Sequence, residues 1–152
     1  MIRLWLFLHL VGFTLWIGGA LAAMVAGIAG KREDRAGLGT IVRTQAAVQK
    51  ILVAPGALLA VLSGLMLTFT VTSLRGGEVG FNLWLVLMQG AGIVGALIVL
   101  MVGLPTAAKL ARLDPEGPGA AYFDELRQRQ RIVGSVAGVL ALAALVGGAM
   151  LA

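Results

Sequence analysis

Residues 81–108 read FNLWLVLMQGAGIVGALIVLMVGLPTAA, and this stretch contains no Asp, Glu, Lys or Arg. Three other stretches also lack acidic and basic residues: 4–30, 51–74 and 132–152. Each exceeds the roughly 20 apolar residues that cross a bilayer core of about 30 Å. The sequence therefore predicts an all-α integral membrane protein, a four-helix bundle whose spans belong to a single domain.

The overall composition supports lipid as the solvent around these segments. Hydrophobic residues make up 59% of the 152-residue chain and charged residues 12%, whereas soluble domains carry about 25% charged residues. The apolar stretches also show no polar face at helical spacing, which a soluble bundle would need. The chain has no cysteine, which excludes disulfides, thiolate metal sites, iron–sulfur clusters and thiol catalysis.

Basic residues are concentrated in two of the predicted loops, 31–50 and 109–131. Because these loops flank apolar spans, the net charge of +5 indicates contact with lipid headgroups and not with nucleic acid. The positive-inside rule places both loops in the cytoplasm, and therefore both termini on the outer side. In a bacterium this is a multi-pass protein of the inner membrane with periplasmic ends. The basic residues of the two loops are Lys31, Arg32, Arg35, Arg43, Lys50, Lys109, Arg112, Arg127, Arg129 and Arg131.

Several local signals refine this plan. A turn-rich segment after residue 113 predicts that the fourth helix begins near Ala120 as a cytoplasmic extension, with Glu125 and Arg129 as an ion pair one turn apart. Pro55 lies one turn into the second span and is expected to bend it. Pro105 lies near the end of the third span, where its position favours termination of the helix.

Glycines recur at a spacing of four residues within the spans. Lipid tails are as apolar as leucine, so helices in a bilayer associate through close contact at small residues. This spacing predicts helix-packing surfaces, although an Ala/Gly/Leu-rich composition also scatters glycines by chance. The predicted packing glycines are Gly19, Gly56, Gly64, Gly92, Gly134 and Gly138.

The two halves of the chain have a similar plan, which indicates a duplicated hairpin or a chance match in a biased composition. In each half an arginine precedes a glycine by 21 residues (64 − 43 and 148 − 127). The matching positions are Arg43 and Arg127, Gly64 and Gly148, Met66 and Met150, and Trp5-x-x-x-His9 and Trp84-x-x-x-Met88.

His9 is the only histidine and the only ionisable residue well inside a span. It shares a helix face with Trp16, so a neutral imidazole beside an apolar wall is a candidate ligand of haem iron or copper. The alternative is a structural histidine bonded to a neighbouring carbonyl. Met88 is the candidate second donor, while Gln89 and Asn82 are predicted to form hydrogen bonds between helices.

The residues Trp16-Ile17-Gly18-Gly19 after His9 carry a family resemblance, together with Arg43, Pro55-Gly56, Ser63-Gly64 and Trp84-Leu85. This pattern resembles small bacterial membrane proteins that include the copper-resistance protein D family and the HemJ-type protoporphyrinogen oxidases. The resemblance implies a haem- or copper-linked role, with haem b as a possible cofactor and the first-span histidine as its ligand. Met88 stands where the HemJ-type enzymes have a lysine.

The sequence favours one function and leaves two alternatives. The favoured function is an accessory or structural protein that packs against itself or other membrane subunits through its glycines. The second is a haem- or porphyrin-associated protein with His9 as ligand. The third is copper or small-molecule transport, although spans 2 to 4 lack the ionisable residues that coupled carriers generally keep inside the membrane. No catalytic constellation is visible, so an enzymatic role is not favoured.

Overall fold

The computed structural model describes residues 1–74 and 82–151, and this part of the chain contains four long helices and no β-strand. The predictions of an all-helical fold and of four long apolar helices are confirmed, since each helix is long and apolar enough to cross a membrane. The predicted span ends at Phe81 and Ala152 lie outside the described residues. The helices are α1 (Ile2–Arg32), α2 (Arg35–Leu74), α3 (Leu83–Leu110) and α4 (Ala120–Ala149).

Two of these helices contain a short π-helical segment just before a proline. In α2 the segment is Gln49–Val53 and Pro55 follows; in α3 it is Val99–Gly103 and Pro105 follows. A proline has no N–H and its ring clashes with the carbonyl four residues earlier, and the wider π turn relieves that clash. The expectation that Pro105 ends its helix is therefore wrong, because α3 continues through it to Leu110.

The segment between α1 and α2 is much shorter than the predicted loop 31–50. Only Glu33 and Asp34 separate the two helices, and the Asp34 side chain accepts a 2.7 Å hydrogen bond from the Gly37 N–H to cap α2. The first turns of α2 are helical because Leu38 and Val42, one turn apart, are buried. They pack in a small cluster at this end of the bundle with Leu110, Leu113, Phe123 and Leu126.

The fourth helix begins at Ala120, as predicted, but its predicted Glu125–Arg129 pair does not form. Among the described residues the one ion pair joins Asp124 to Arg35 at the start of α2, with nitrogen–oxygen distances of 3.1 and 2.9 Å. This bidentate ion pair connects the N-terminal extension of α4 to the start of α2. Because both side chains are about half exposed, we expect it to contribute at most about 1 kcal/mol.

The main core of the bundle consists mostly of alanine, which brings the helix backbones close together. The closest contacts pair α1 with α2 and α3 with α4, so that the fold consists of two hairpins. Trp16, with 1% of its surface exposed, is the largest side chain between them. The remaining buried members of this core are Val53, Ala54, Ala57, Ala60, Ala96, Val99, Ala137 and Ala141.

Candidate functional site

A cavity of about 640 Å³ lies in the half of the bundle that holds the two chain termini. All four helices line it, with residues between positions 6–16, 60–72, 82–93 and 144–151. Its volume falls in the range of about 300–1,000 Å³ that is typical of small-molecule sites. The lining is largely apolar, and none of its described residues is Asp, Glu, Lys or Arg. The site is therefore suited to a ligand whose buried part is uncharged.

His9 of α1 lines this cavity and its ring is fixed by a hydrogen bond across the hairpin. Its Nδ1 lies 2.7 Å from the backbone oxygen of Ala60 in α2. A carbonyl oxygen only accepts, so we assign the proton of the neutral imidazole to Nδ1. The lone pair then belongs to Nε2. This is the carbonyl bond that the structural alternative predicts. A histidine that binds a metal also typically donates its other N–H in this way, so the bond fits both roles and leaves Nε2 with its lone pair.

Gly64 provides the space in which the His9 ring lies. A Cβ atom at this position would be 2.9 Å from His9 Cε1 and 3.0 Å from His9 Nδ1. On its own helix the imidazole is stacked near Phe13, with ring centroids 6.4 Å apart and planes inclined by 29°. Gly64, predicted as a helix-packing residue, thus accommodates a side chain of α1 and holds the ring orientation.

Met88 occupies the corresponding place in the second hairpin and lines the same cavity. A Cβ atom at Gly148 of α4 would lie 3.3 Å from Met88 Sδ. The two contacts, His9 with Gly64 and Met88 with Gly148, join the same pairs of positions that match between the halves of the sequence. The fold therefore brings both predicted donors, one from each hairpin, into one cavity.

Trp16 lies seven residues after His9, and Gly95 lies seven residues after Met88. The outer ring carbons of Trp16, Cη2 and Cζ2, would be 3.1 and 3.2 Å from a Cβ atom at Gly95. The Trp16 side chain of the first hairpin therefore occupies the space beside Gly95, which is the corresponding position of the second hairpin. Trp16, predicted as a cofactor-binding residue, belongs to the bundle core and also lines the cavity.

A polar pair adds a hydrogen-bonding group to the cavity wall. The Gln89 side chain donates a 2.9 Å hydrogen bond from Nε2 to Thr68 Oγ1, and so joins α3 to α2 as predicted. Gln89 also lines the cavity. Within residues 1–74 and 82–151 Asn82 forms no bond to another helix, contrary to the prediction: its side chain accepts a 2.9 Å bond from the Trp84 N–H and caps α3. Asparagine is a favoured residue at that position.

The predicted packing glycines divide into two groups. Gly19 and Gly56 lie at the α1–α2 contact, where added Cβ atoms would be 2.8 Å from Val53 Cγ2 and 2.6 Å from the Trp16 backbone nitrogen, respectively. Gly92 has only an ordinary contact, 3.9 Å to Ala144. A Cβ atom at Gly134 or Gly138 would have no atom of another described helix within 4 Å, so the packing surface expected at this pair stays a prediction.

Two further close backbone contacts involve glycines that the spacing rule did not select. A Cβ atom at Gly12 would lie 2.5 Å from the Ala60 nitrogen, and one at Gly147 would lie 2.9 Å from the Met88 nitrogen. Gly12 shares the face of His9 and Trp16, which is the one sequence signal for its inward position. The corresponding signal for Gly147 is that it adjoins Gly148, the residue matched to Gly64.

The donor set limits what kind of metal this site suits. In residues 1–74 and 82–151 there is no cluster of three or more His, Cys, Asp or Glu side chains. Among the described residues that line the cavity, a soft metal ion would find one imidazole, from His9, and one thioether, from Met88. A metalloporphyrin brings four nitrogen ligands of its own and needs only axial ligands from the protein, and a His/Met axial pair is known in haem proteins. Comparisons with protein-family models, curated proteins and solved structures found no match.

Proposed function

We propose that this chain is a four-pass membrane protein that binds haem b, or a closely similar metalloporphyrin, in the cavity, with His9 as its axial ligand. The observation that carries the proposal is the 2.7 Å bond from His9 Nδ1 to the Ala60 carbonyl. It leaves Nε2 with a lone pair in a mostly apolar cavity of about 640 Å³. Met88 Sδ is the candidate second axial donor.

A bilayer around the bundle is supported by the side chains that point outward. Large apolar residues are exposed on every helix, for example Phe7 at 61%, Phe69 at 71%, Met101 at 72% and Val139 at 67%. Such a continuous apolar surface is incompatible with a monomer in water. With the basic loops inside, the cavity lies toward the outer side, and the bacterial inner membrane is the proposed location.

The cavity residues fit the ring of a haem better than its charged edge. Apolar walls and two soft or neutral donors suit the macrocycle and its iron. No described Lys or Arg side chain lines the cavity, so the propionate groups would have to lie at its opening. Arg3 lies one turn before Leu6, which lines the cavity, and it is the basic side chain that can meet a propionate there.

In this proposal each residue has a separate task. Bound haem supplies reversible one-electron chemistry at its iron. The Ala60 carbonyl holds His9 in the tautomer whose Nε2 can bind, and Gly64 with Phe13 holds the plane of the ring. The thioether of Met88 offers a weaker donor that favours the reduced iron. Trp16 closes the inner end of the cavity against water.

A haem titration tests the proposal directly. Purified full-length protein in micelles should show a Soret band that saturates at one haem per chain, and the saturated sample should be reducible. A titration that does not saturate, or that gives the same spectrum as micelles without protein, would overturn the proposal. Substituting zinc protoporphyrin should give the same stoichiometry, since the site recognises the ring and one axial bond.

Gly64→Ala should weaken haem binding without removing the ligand. The added methyl would lie 2.9 Å from His9 Cε1, so the imidazole must turn away from the Ala60 carbonyl. Because this acts on the orientation of a metal ligand, we expect a loss of affinity of about 10–100-fold. Gly18→Ala on α1 is the matched control, since no atom lies within 4 Å of its Cβ position. Equal affinities of the two variants would contradict this role of Gly64.

A second function, self-association within the membrane, is favoured by the open positions on α4. Gly134 and Gly138 lie one turn apart, and no other helix in the described part of the chain packs against them. Each glycine lowers helix stability by about 1 kcal/mol relative to alanine. In a bilayer, glycines spaced four residues apart commonly let two helices pack closely, and this contact offsets the loss. This observation supports the hypothesis of a homo-oligomer or an accessory subunit of a larger complex.

Bulky residues at these positions should separate such an assembly. We expect wild-type protein in lipid nanodiscs or bicelles to sediment as an oligomer, and Gly134→Leu/Gly138→Leu to sediment as a monomer. Gly18→Leu, also at an open position, is the control for added bulk. A monomeric wild type, or an unchanged oligomer in the double variant, would contradict self-association through this face.

A further inference from the structure

The extension of α4 carries a shallow recess of about 570 Å³ that the haem proposal does not use. Arg127 and Arg131, one turn apart, stand at its polar end together with Gln128. Ile132 and Val136 form its apolar end, which also includes Ser135. Because predicted span 4 begins at residue 132, the recess crosses the boundary between polar and apolar surface. The recess therefore places hydrogen-bond donors next to an apolar strip formed by Ile132 and Val136.

The charge of this recess is positive. Asp124 lies at its edge, but both carboxylate oxygens of Asp124 are bonded to the Arg35 guanidinium at 3.1 and 2.9 Å. Among the described residues neither Arg127 nor Arg131 forms an ion pair. Two guanidinium groups are thus available to an anion while the neighbouring carboxylate is already neutralised.

We propose that this recess binds the headgroup of an anionic phospholipid from the cytoplasmic leaflet. Arginine is well suited to phosphate oxygens because its planar fork can donate two parallel hydrogen bonds. The Ser135 hydroxyl and the Gln128 amide are further donors at the apolar and polar ends. The acyl chains would lie along Ile132 and Val136, which are exposed on the lipid side of α4. A soluble phosphate would satisfy the arginines but would leave this strip uncovered.

The inference extends the membrane assignment and is independent of haem binding. If four-pass insertion fails, the protein is recovered in water without detergent; if only the lipid site fails, the protein stays in the membrane and shows no lipid preference. The two failures are therefore distinguishable.

The test is a titration of fluorescent phosphatidylglycerol against the full-length protein in zwitterionic micelles, with fluorescent phosphatidylcholine in parallel. Wild type should bind phosphatidylglycerol saturably and phosphatidylcholine weakly. Arg127→Gln/Arg131→Gln should lose roughly 25-fold in affinity for phosphatidylglycerol, at about fivefold for each basic residue removed near a charged membrane surface. Lys109→Gln/Arg112→Gln removes the same charge at the same end of the bundle and should lose far less.

Several results would overturn the proposal. An equal loss in both double variants would mean that net charge alone attracts the lipid. Unchanged affinity in Arg127→Gln/Arg131→Gln would place the lipid elsewhere. Full competition by millimolar inorganic phosphate would indicate a site for soluble anions. A change of oligomeric state in the same variant without a change in lipid affinity would assign the recess to a second copy of the chain. Helix content measured by circular dichroism confirms that the variants are folded.

Discussion

His9→Ala should abolish saturable haem binding, with a loss of affinity of more than about 100-fold, since even changes that only misorient a metal ligand cost about 10–100-fold. The chain has one histidine, so no other imidazole can replace it. The cavity itself should survive, because the His9 ring belongs to its wall and not to the core formed around Trp16. The measurement is a haem titration followed at the Soret band.

Met88→Leu is the informative comparison for this variant. It preserves volume and apolar character but removes the thioether, while His9 and its bond to the Ala60 carbonyl remain. We expect haem still to bind, with an altered spectrum and a lower reduction potential because methionine ligation raises the potential. If Met88→Leu abolishes binding and His9→Ala does not, the roles assigned to the two residues are reversed and the account of the site is wrong.

Gly12→Ala should destabilise the bundle by about 1–3 kcal/mol, the usual cost of forcing extra carbon into a packed interior. The new Cβ atom would lie 2.5 Å from the Ala60 nitrogen and 2.9 Å from the Gly56 oxygen. Both are backbone atoms, so no side chain can rotate away and the two helices must separate. The separation would also pull Ala60 from His9, so we expect haem affinity to fall together with stability.

Gly18→Ala on the same helix is the control for stability. Nothing lies within 4 Å of its Cβ position, and alanine is favoured over glycine in a helix by about 1 kcal/mol. Reversible unfolding of the detergent-solubilised protein in mixed micelles should therefore show Gly12→Ala less stable and Gly18→Ala slightly more stable than wild type. If the two variants unfold alike, close backbone contact between α1 and α2 does not hold this hairpin together.

The sequence predicted the helices well because charge-free runs of this length have few alternatives. It did not predict that residues 35–48 are helical, because a search for charge-free apolar runs discards a segment that contains two arginines. The signal was present in the spacing of Leu38 and Val42, which bury one face of that segment. Pro105 was misjudged because the sequence does not show that a π turn accommodates the ring.

The site was predictable in its residues but not in its geometry. His9 stood out as a single polar residue in an apolar span, and Met88 through its match in the second half. The bond to Ala60 could not be predicted, since a backbone carbonyl has no sequence signature. The glycines show the same limit: the face that Gly12 shares with His9 and Trp16 indicates its inward position, but not that a Cβ atom there would lie 2.5 Å from the Ala60 nitrogen.

The contact pattern agrees with a duplicated hairpin in which one copy has kept a histidine and the other a methionine. The residues of the matched contacts, His9 with Gly64 and Met88 with Gly148, line one cavity, and Trp16 meets Gly95 between the hairpins. The two equivalent positions therefore offer a ligand in this cavity an imidazole nitrogen and a thioether sulfur. This pair of donors is the reason for proposing a metalloporphyrin, which brings four nitrogen ligands of its own, in preference to a bare ion.

The most direct test of the account is the nitrogen-15 NMR spectrum of protein labelled only at histidine, which reports on His9 alone. Before ligand is added, the spectrum should show a protonated Nδ1 and an unprotonated Nε2, as the 2.7 Å bond to the Ala60 carbonyl requires. Addition of diamagnetic zinc protoporphyrin should shift the Nε2 resonance strongly and leave Nδ1 protonated. A protonated Nε2 in the free protein, or an Nε2 signal that does not move at saturating porphyrin, would contradict the central claim that this nitrogen is the ligand.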